Sequence, residues 1–121
     1  MRILVCGDRN WTDADAIRRK IVELGVENVE YVIEGEARGA DSHGRRVAEA
    51  LNIPVLKFPA KWQEFGRAAG AIRNRQMLVE GKPDLVLAFH DNLSKSAGTA
   101  NMVWQARKAR VKVWVSSEPS A

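Results

Sequence analysis

The chain has 121 residues, of which 45% are hydrophobic and 28% charged, so we expect a single globular domain over 1–121 with a modest core. The formal charge of +4 favours an anionic partner without identifying one. One cysteine and two histidines argue against a disulfide framework and against a metal site. Because no apolar run approaches the roughly 20 residues of a membrane span, we predict a cytoplasmic protein with no membrane partner.

Short apolar runs rich in branched residues alternate with longer stretches of helical period, which is typical of β-α units that cover both faces of a parallel sheet. This pattern predicts an α/β fold, a three-layer Rossmann-like domain with a five-stranded, mostly parallel sheet in the order 3-2-1-4-5. The predicted strands are 3–6, 30–33, 54–58, 84–89 and 111–115. Residues 116–121 are predicted to form a loose tail.

Helices are expected in the connections between these strands. The first ends at Gly25, and the second begins near Asp41 or Ser42, either of which can cap free N–H groups. The other two are predicted over about 67–80 and from 96–99 to about 109.

The strand order also predicts where a ligand binds. Ligands of open α/β sheets lie beyond the carboxyl ends of the strands, near the point where the order reverses. Here that point lies between the first and fourth strands, so the loops of interest are 7–13, 35–41, 59–66 and 90–98.

The loop after the first strand begins Gly7-Asp8-Arg9. Gly7 permits a tight turn against a ligand, Asp8 offers an acceptor and Arg9 a forked donor. The alternative is a solvated turn in which Trp11 packs on the first helix.

The loop after the second strand places two glycines around an arginine immediately before a helix. Such a segment presents backbone N–H groups and a helix dipole to an anion. It matches neither the dinucleotide pattern G-x-G-x-x-G nor a Walker P-loop. The candidate binding residues are Gly35, Arg38, Gly39 and Asp41, although Asp41 as a simple helix cap is the alternative.

The loop after the fourth strand ends in small residues and hydroxyls at a helix N-terminus, which again favours phosphate binding. Ser96, Gly98 and Thr99 offer donors, and Lys95 adds a mobile positive charge. The alternative is that Ser96 caps the helix and nothing binds. We interpret His90 as a hydrogen-bonded loop residue rather than a ligand or a base.

The third helix begins at the same edge of the sheet, so its early residues can lean over the cleft. Arg73, followed by Asn74, is a candidate clamp on a phosphate or ribose, and Trp62 is a candidate stacking surface for a base. For Trp62, a core lid over the helix is the alternative. Basic residues elsewhere are scattered over several helices without interleaved aromatic residues, which disfavours nucleic-acid binding.

Three motifs follow one another along the chain: G-x-A-R-G-A-D; P-A-x-W followed by G-x-A-A-G-x-x-R-N-x-x-M; and an A-F loop closing in S-x-G-T-x-x-M. Together they resemble the YspA/YpsA-like branch of the SLOG (SMF/DprA-LOG) superfamily from Gly7 to Val115. The resemblance implies a Rossmann-like domain that binds nucleotides or nucleotide-derived ligands such as ADP-ribose-like molecules. It also implies frequent homo-oligomers and a frequent place in phage or mobile-element conflict systems.

The LOG enzymes of this superfamily cut the N-glycosidic bond of nucleoside monophosphates with the arginine of R-K-x-x-M and the glutamate of P-G-G-x-G-T-x-x-E. Residues 73–77 match the first motif with asparagine in place of lysine, which makes Arg73 the candidate catalytic residue. Met102 stands at the glutamate position, and a thioether can neither stabilise an oxocarbenium-like centre nor activate water. Acids on other loops that could take its place are Asp8, Glu36, Asp41 and Asp91.

Because the phosphate-binding loops are present and the family's glutamate is not, these observations favour a sensor or sequestering module whose partner is a nucleotide-derived small molecule, with no resident cofactor. A nucleoside 5′-monophosphate N-glycosidase with a rearranged catalytic acid is the alternative. A DNA-binding module ranks third.

Overall fold

The computed structural model describes residues 1–118, and a sheet in which every strand pairing is parallel forms its centre. The strand order is β3-β2-β1-β4-β5, so the predicted fold class and strand order are confirmed. The carboxyl ends of all strands therefore lie at one edge. The strands are β1 (Arg2–Gly7), β2 (Tyr31–Glu34), β3 (Val55–Lys57), β4 (Leu85–Phe89) and β5 (Lys112–Val115).

Helices cover both faces of the sheet because side chains alternate along each strand. Ile3 and Val5 of the central strand pack into one core layer with the first two helices. Leu4 and Cys6 point the other way, into a layer that contains residues of the last helix. The helices are α1 (Ala14–Leu24), α2 (Ala40–Ala50), α3 (Trp62–Phe65), α4 (Ala69–Gln76) and α5 (Ala97–Lys108).

The segment predicted as a helix over about 67–80 is helical, but it begins earlier and changes helix type along its length. The chain forms α3, a 3₁₀ turn over Gly66–Ala68, then α4 and a π-helical turn over Met77–Gly81. The apolar residues of this segment do not share one helical face: Met77 is 1% exposed, whereas Ile72 is 41% exposed. A change of helix type in mid-segment accommodates such a pattern, and π turns of this kind are common near functional sites.

Gly25, the predicted end of the first helix, is the C-cap of α1. Ser96 caps α5 by accepting a hydrogen bond from the Thr99 N–H at 3.2 Å, which is the cap that the alternative for this loop expected. The start of α2 differs, because the helix begins at Ala40 with Gly39 as its N-cap. The Asp41 side chain is engaged elsewhere.

Residues 116–118, which the sequence assigned to the loose tail, pack beside β4, β5 and the last helix. The Ser116 N–H donates to the Ala88 carbonyl at 2.9 Å, and Arg107 pairs with Glu118 at 3.2 Å. Residues 119–121 of the predicted tail lie outside the described residues. Within residues 1–118, none of the helices has the length and apolar character needed to cross a bilayer.

Candidate functional site

Two adjoining cavities, of about 590 and 420 Å³, open at the carboxyl edge of the sheet. We name them the Trp62 cavity and the Lys95 cavity after a residue that lines each. Arg9, Arg38 and Arg73 line both cavities, so these side chains form an arginine ridge between them. The ridge draws its members from the β1-α1 loop, the β2-α2 loop and α4.

Nearly all of the residues singled out in the sequence line one of these cavities. Gly35 and Trp62 line the Trp62 cavity together with the ridge. Residues of the set that line the Lys95 cavity are Gly7, Asp8, Arg9, Arg38, Asp41, Arg73, Asn74, Lys95, Ser96, Gly98 and Thr99.

Gly39 lines neither cavity and has a structural role instead. Its backbone adopts φ +73°, and a Cβ atom there would lie 2.3 Å from the Asp8 carbonyl oxygen. Only glycine permits this approach, which brings the β2-α2 loop against the β1-α1 loop. Through this contact Gly39 brings Arg38 close to Arg9.

Buried carboxylates already occupy the backbone amides of the β2-α2 loop. Asp41 Oδ2 accepts hydrogen bonds from the N–H groups of Gly35 at 3.1 Å and Ala37 at 3.4 Å. Glu34 Oε2 accepts from the Glu36 N–H at 2.5 Å. The amides of Gly35, Glu36 and Ala37, which the sequence pattern offered to an external anion, are therefore bonded within the protein, and Asp41 fixes the loop rather than capping α2.

Both of these acids have unusual protonation equilibria because they are buried. Burial raises the pKa of Glu34, which is fully buried, to about 7, although its bond from the Glu36 N–H opposes the shift. Burial likewise raises the pKa of Asp41 to about 6, against the opposing charge of Arg73. Glu34 Oε1 is also buried without a hydrogen-bond partner among residues 1–118, which adds to the cost of its ionised form.

Arg73 is held in place from two sides. Its Nη1 donates to the Gly35 carbonyl at 2.6 Å, and its Nε donates to Asn74 Oδ1 at 3.0 Å. Asn74 is 4% exposed, and its Nδ2 donates to Asn101 Oδ1 at 3.1 Å and to the Gly98 carbonyl at 3.3 Å. Asn74 thus links the arginine ridge to the start of α5.

The Lys95 cavity has an apolar wall made by sulfur-containing side chains. Cys6, Met77 and Met102 line it, and Met102 is 1% exposed. Burial raises the pKa of the Cys6 thiol, and the nearby Asp41 charge adds to the shift. The thiol therefore stays neutral near pH 7, and the thioether of Met102 occupies the position at which the LOG enzymes carry their glutamate.

Sequence reasoning did not assign His90 to the site, although it lines the Lys95 cavity. Its Nδ1 accepts a hydrogen bond from the Asn92 N–H at 2.9 Å, as expected for a loop residue, so the neutral ring carries its proton on Nε2. That nitrogen lies 4.0 Å from Asp8 Oδ2. The strand order could have predicted that Asp8 and His90 lie close together. Gly7 and Phe89 are partners in the β1-β4 pairing, and Asp8 and His90 are the residues that directly follow these two strands.

Trp62 lies at the mouth of its cavity rather than in the core. The side chain is 49% exposed, so Trp62 is not a core residue, although its ring lies close to Gly70 of α4. The Arg9 guanidinium lies 6.0 Å from the ring centroid. Sequence reasoning did not assign Glu36, Pro59 or Ala60 to this cavity, although all three line it.

The fold and the cleft at its carboxyl edge define a Rossmann-like domain with a cationic site. The profile of the YspA, cpYpsA-related SLOG family matches residues 1–65, and the chain belongs to this family. It is also similar to the gene 61 protein of Mycobacterium phage D29, with 34% identity over 125 residues and coverage of 93% of each chain. No solved structure matches the chain significantly.

The raised pKa of Glu34 predicts that stability falls as the pH rises from about 4.5 to about 7. The unfolded chain loses the Glu34 proton near the ordinary pKa of 4.5, whereas the folded protein holds it up to about pH 7, so the loss of stability builds up between these values and is constant at higher pH. The Glu34→Gln variant should be more stable than the parent at pH 8, by up to about 3 kcal/mol, and should lose less stability between pH 5 and pH 8. Urea unfolding at both pH values measures this.

The exposed Glu49 on α2 provides the matched control, because Glu49→Gln should leave the pH dependence unchanged. A Glu34→Gln variant with the same slope of unfolding free energy against pH as the parent would contradict the assignment.

Proposed function

We propose that the protein binds a nucleotide or a nucleotide-derived ligand, such as a nucleoside phosphate or an ADP-ribose-like molecule, at the carboxyl edge of the sheet. The observation that carries this proposal is the arginine ridge shared by two adjoining cavities. Membership of the SLOG family supports it. In this proposal the protein acts as a sensor or sequestering module.

Phosphate recognition rests on side chains more than on backbone amides, since the Gly35 and Ala37 amides are bonded to Asp41. Arginine matches phosphate oxygens with paired N–H donors. Arg73 is oriented in advance by Gly35 and Asn74, while Arg9 and Arg38 are exposed and free to close on the ligand. The N-terminus of α5 and the exposed Lys95 add positive potential on the other side of the ridge.

Trp62 supplies an aromatic face for the base of the ligand. The residue lines the larger cavity beside the ridge, and stacking on an exposed aromatic ring accepts any base. Similarity to a phage protein supports a role in phage or mobile-element biology. Homo-oligomerisation and a cytoplasmic location remain predictions.

Removal of one ridge side chain should weaken nucleotide binding without harming the fold. Arg38 is exposed and lines both cavities, so Arg38→Ala should reduce the affinity for ADP-ribose by about 10- to 100-fold, the usual loss for a hydrogen bond between charged groups. Isothermal titration calorimetry measures the affinity. Arg46→Ala, which removes the same charge from the exposed surface of α2, is the control and should bind like the parent. Equal weakening by the two variants would indicate a non-specific charge effect and contradict the proposed site.

A second candidate function, N-glycosidase activity on nucleoside 5′-monophosphates, is favoured by the Asp8-His90 pair. Of the described residues that line the Lys95 cavity, Asp8 and Asp41 are the acids, and Asp41 is committed to the loop amides. Asp8 Oδ1 accepts from the Asn10 N–H at 2.9 Å, which leaves Oδ2, facing His90, as the candidate base. Catalytic hydrogen bonds are often long before substrate binds, so the 4.0 Å separation is compatible with this role.

In that reaction the Asp8 carboxylate takes a proton from a water molecule whose oxygen bonds to C1′ of the ribose. The C1′–N bond breaks, its electron pair leaves with the base, and the base nitrogen is protonated from solvent. Asp8 then returns its proton to solvent. His90 Nε2–H orients the carboxylate, and the arginine ridge holds the phosphate.

If this activity exists, Asp8→Asn should lower the rate of free-base release by about 10²- to 10⁴-fold while nucleotide binding persists. Chromatographic detection of free base from AMP, GMP, CMP and UMP measures the rate. Asp15→Asn, on the exposed surface of α1, serves as the control. Absence of free base with the parent protein, together with intact binding, would exclude the glycosidase and leave the binding function standing.

A further inference from the structure

We infer that Glu36 is a ribose-binding residue: its carboxylate accepts hydrogen bonds from the 2′- and 3′-hydroxyls of a nucleotide held in the Trp62 cavity. The site should then prefer ribonucleotides to 2′-deoxyribonucleotides and reject a 2′-phosphate. The inference rests on the proposed nucleotide-binding function and specifies the sugar that the site selects.

The first observation is that the Glu36 carboxylate, although it lies among arginines, forms no ion pair with another described residue. Of the described residues that line the Trp62 cavity, Glu36 is the one acid, beside Arg9, Arg38 and Arg73. It takes part in none of the ion pairs within 4.0 Å among residues 1–118. An ionised carboxylate is an acceptor only, so in this cavity it repels phosphate and suits neutral O–H or N–H donors.

The second observation concerns the backbone of Glu36, which adopts φ +57°. This left-handed region is unfavourable for residues with a Cβ atom. Asn52, Lys82 and Arg110 share it, but each lies within two residues of a helix end, where this conformation is common. Glu36 lies inside the β2-α2 loop, and the bond from its N–H to Glu34 Oε2 holds this conformation, although glycine would adopt it without strain.

The position of Glu36 favours the ribose hydroxyls, rather than the N–H groups of the base, as the donors to its carboxylate. Glu36 follows the end of β2 by two residues, and dinucleotide-binding Rossmann folds likewise use an acid, about 20 residues beyond their glycine-rich turn, to bind the ribose 2′-hydroxyl. Its neighbour Gly35 carries the carbonyl that holds Arg73, so the carboxylate lies next to the ridge that would hold phosphate. In a nucleotide the ribose is the group directly joined to the phosphate, and the base lies beyond it, which places the base towards Trp62.

The test is calorimetric titration of the full chain with AMP, 2′-deoxy-AMP and adenosine 2′,5′-bisphosphate. The parent protein should bind AMP about 10- to 100-fold more tightly than either of the other two, since a charged acceptor would lose a hydrogen bond in one case and face a phosphate in the other. The Glu36→Gly variant should bind AMP and 2′-deoxy-AMP within about threefold of each other. Its melting temperature should not fall, because glycine relieves the left-handed strain.

Glu49→Gln on α2 is the matched control and should keep the preference of the parent. Equal affinity of the parent for AMP and 2′-deoxy-AMP, or a preference that survives in Glu36→Gly, would overturn the role of Glu36 while leaving nucleotide binding intact. Failure of all three nucleotides to bind the parent at millimolar concentration would overturn the proposed function, and the inference with it.

Discussion

The geometry of the cleft depends on a buried carboxylate, that of Asp41, and its bonds to the loop after β2. Asp41 accepts hydrogen bonds from the N–H groups of Gly35 and Ala37, and these bonds hold the loop against the start of α2. The folded loop places the Gly35 carbonyl on the Arg73 guanidinium and lets Gly39 pack against the β1-α1 loop. These contacts hold the β1-α1 loop, the β2-α2 loop and α4 next to one another, and so keep the three arginines of the ridge together.

The same bonds change how an anion is recognised at this edge. A glycine-rich loop before a helix usually offers its amides to phosphate, but here the amides of Gly35, Glu36 and Ala37 are bonded internally. Recognition of the phosphate then depends on guanidinium groups, each of which can donate two parallel hydrogen bonds to phosphate oxygens. Two of the ridge arginines are exposed and the third is anchored, so the site combines a fixed reference point with adaptable partners. Other basic residues are used on the surface, as in the exposed Arg19-Asp15 pair on α1, and the net charge of +4 therefore says little by itself.

The order of the sheet was predictable because each strand is a short apolar run and parallel strands with crossover helices leave few topologies. The edge that carries the cleft followed from that order. The hydrogen-bond partners of the Asp41 side chain were not predictable. An aspartate at the start of a helix can cap that helix or accept hydrogen bonds from the preceding loop, and both roles place the same residue type at the same position. The sequence analysis also missed α3 and the change to a π-helical turn at Met77, because apolar periodicity predicts a helical stretch without its exact bounds or its helix type. His90 was underrated because its partner Asp8 is distant in sequence and comes close only through the β1-β4 pairing.

Amide chemical shifts, followed by NMR during titration with ADP-ribose, test most directly whether the arginine ridge and its two cavities form the ligand site. The largest changes should fall on Arg9, Ala37, Arg38, Arg73 and Gly98, which surround the two cavities, and the outer surface of α1 should be unaffected. Changes confined to α1 and the outer surface of α2, or no changes at saturating ligand, would contradict a nucleotide site at the carboxyl edge of the sheet.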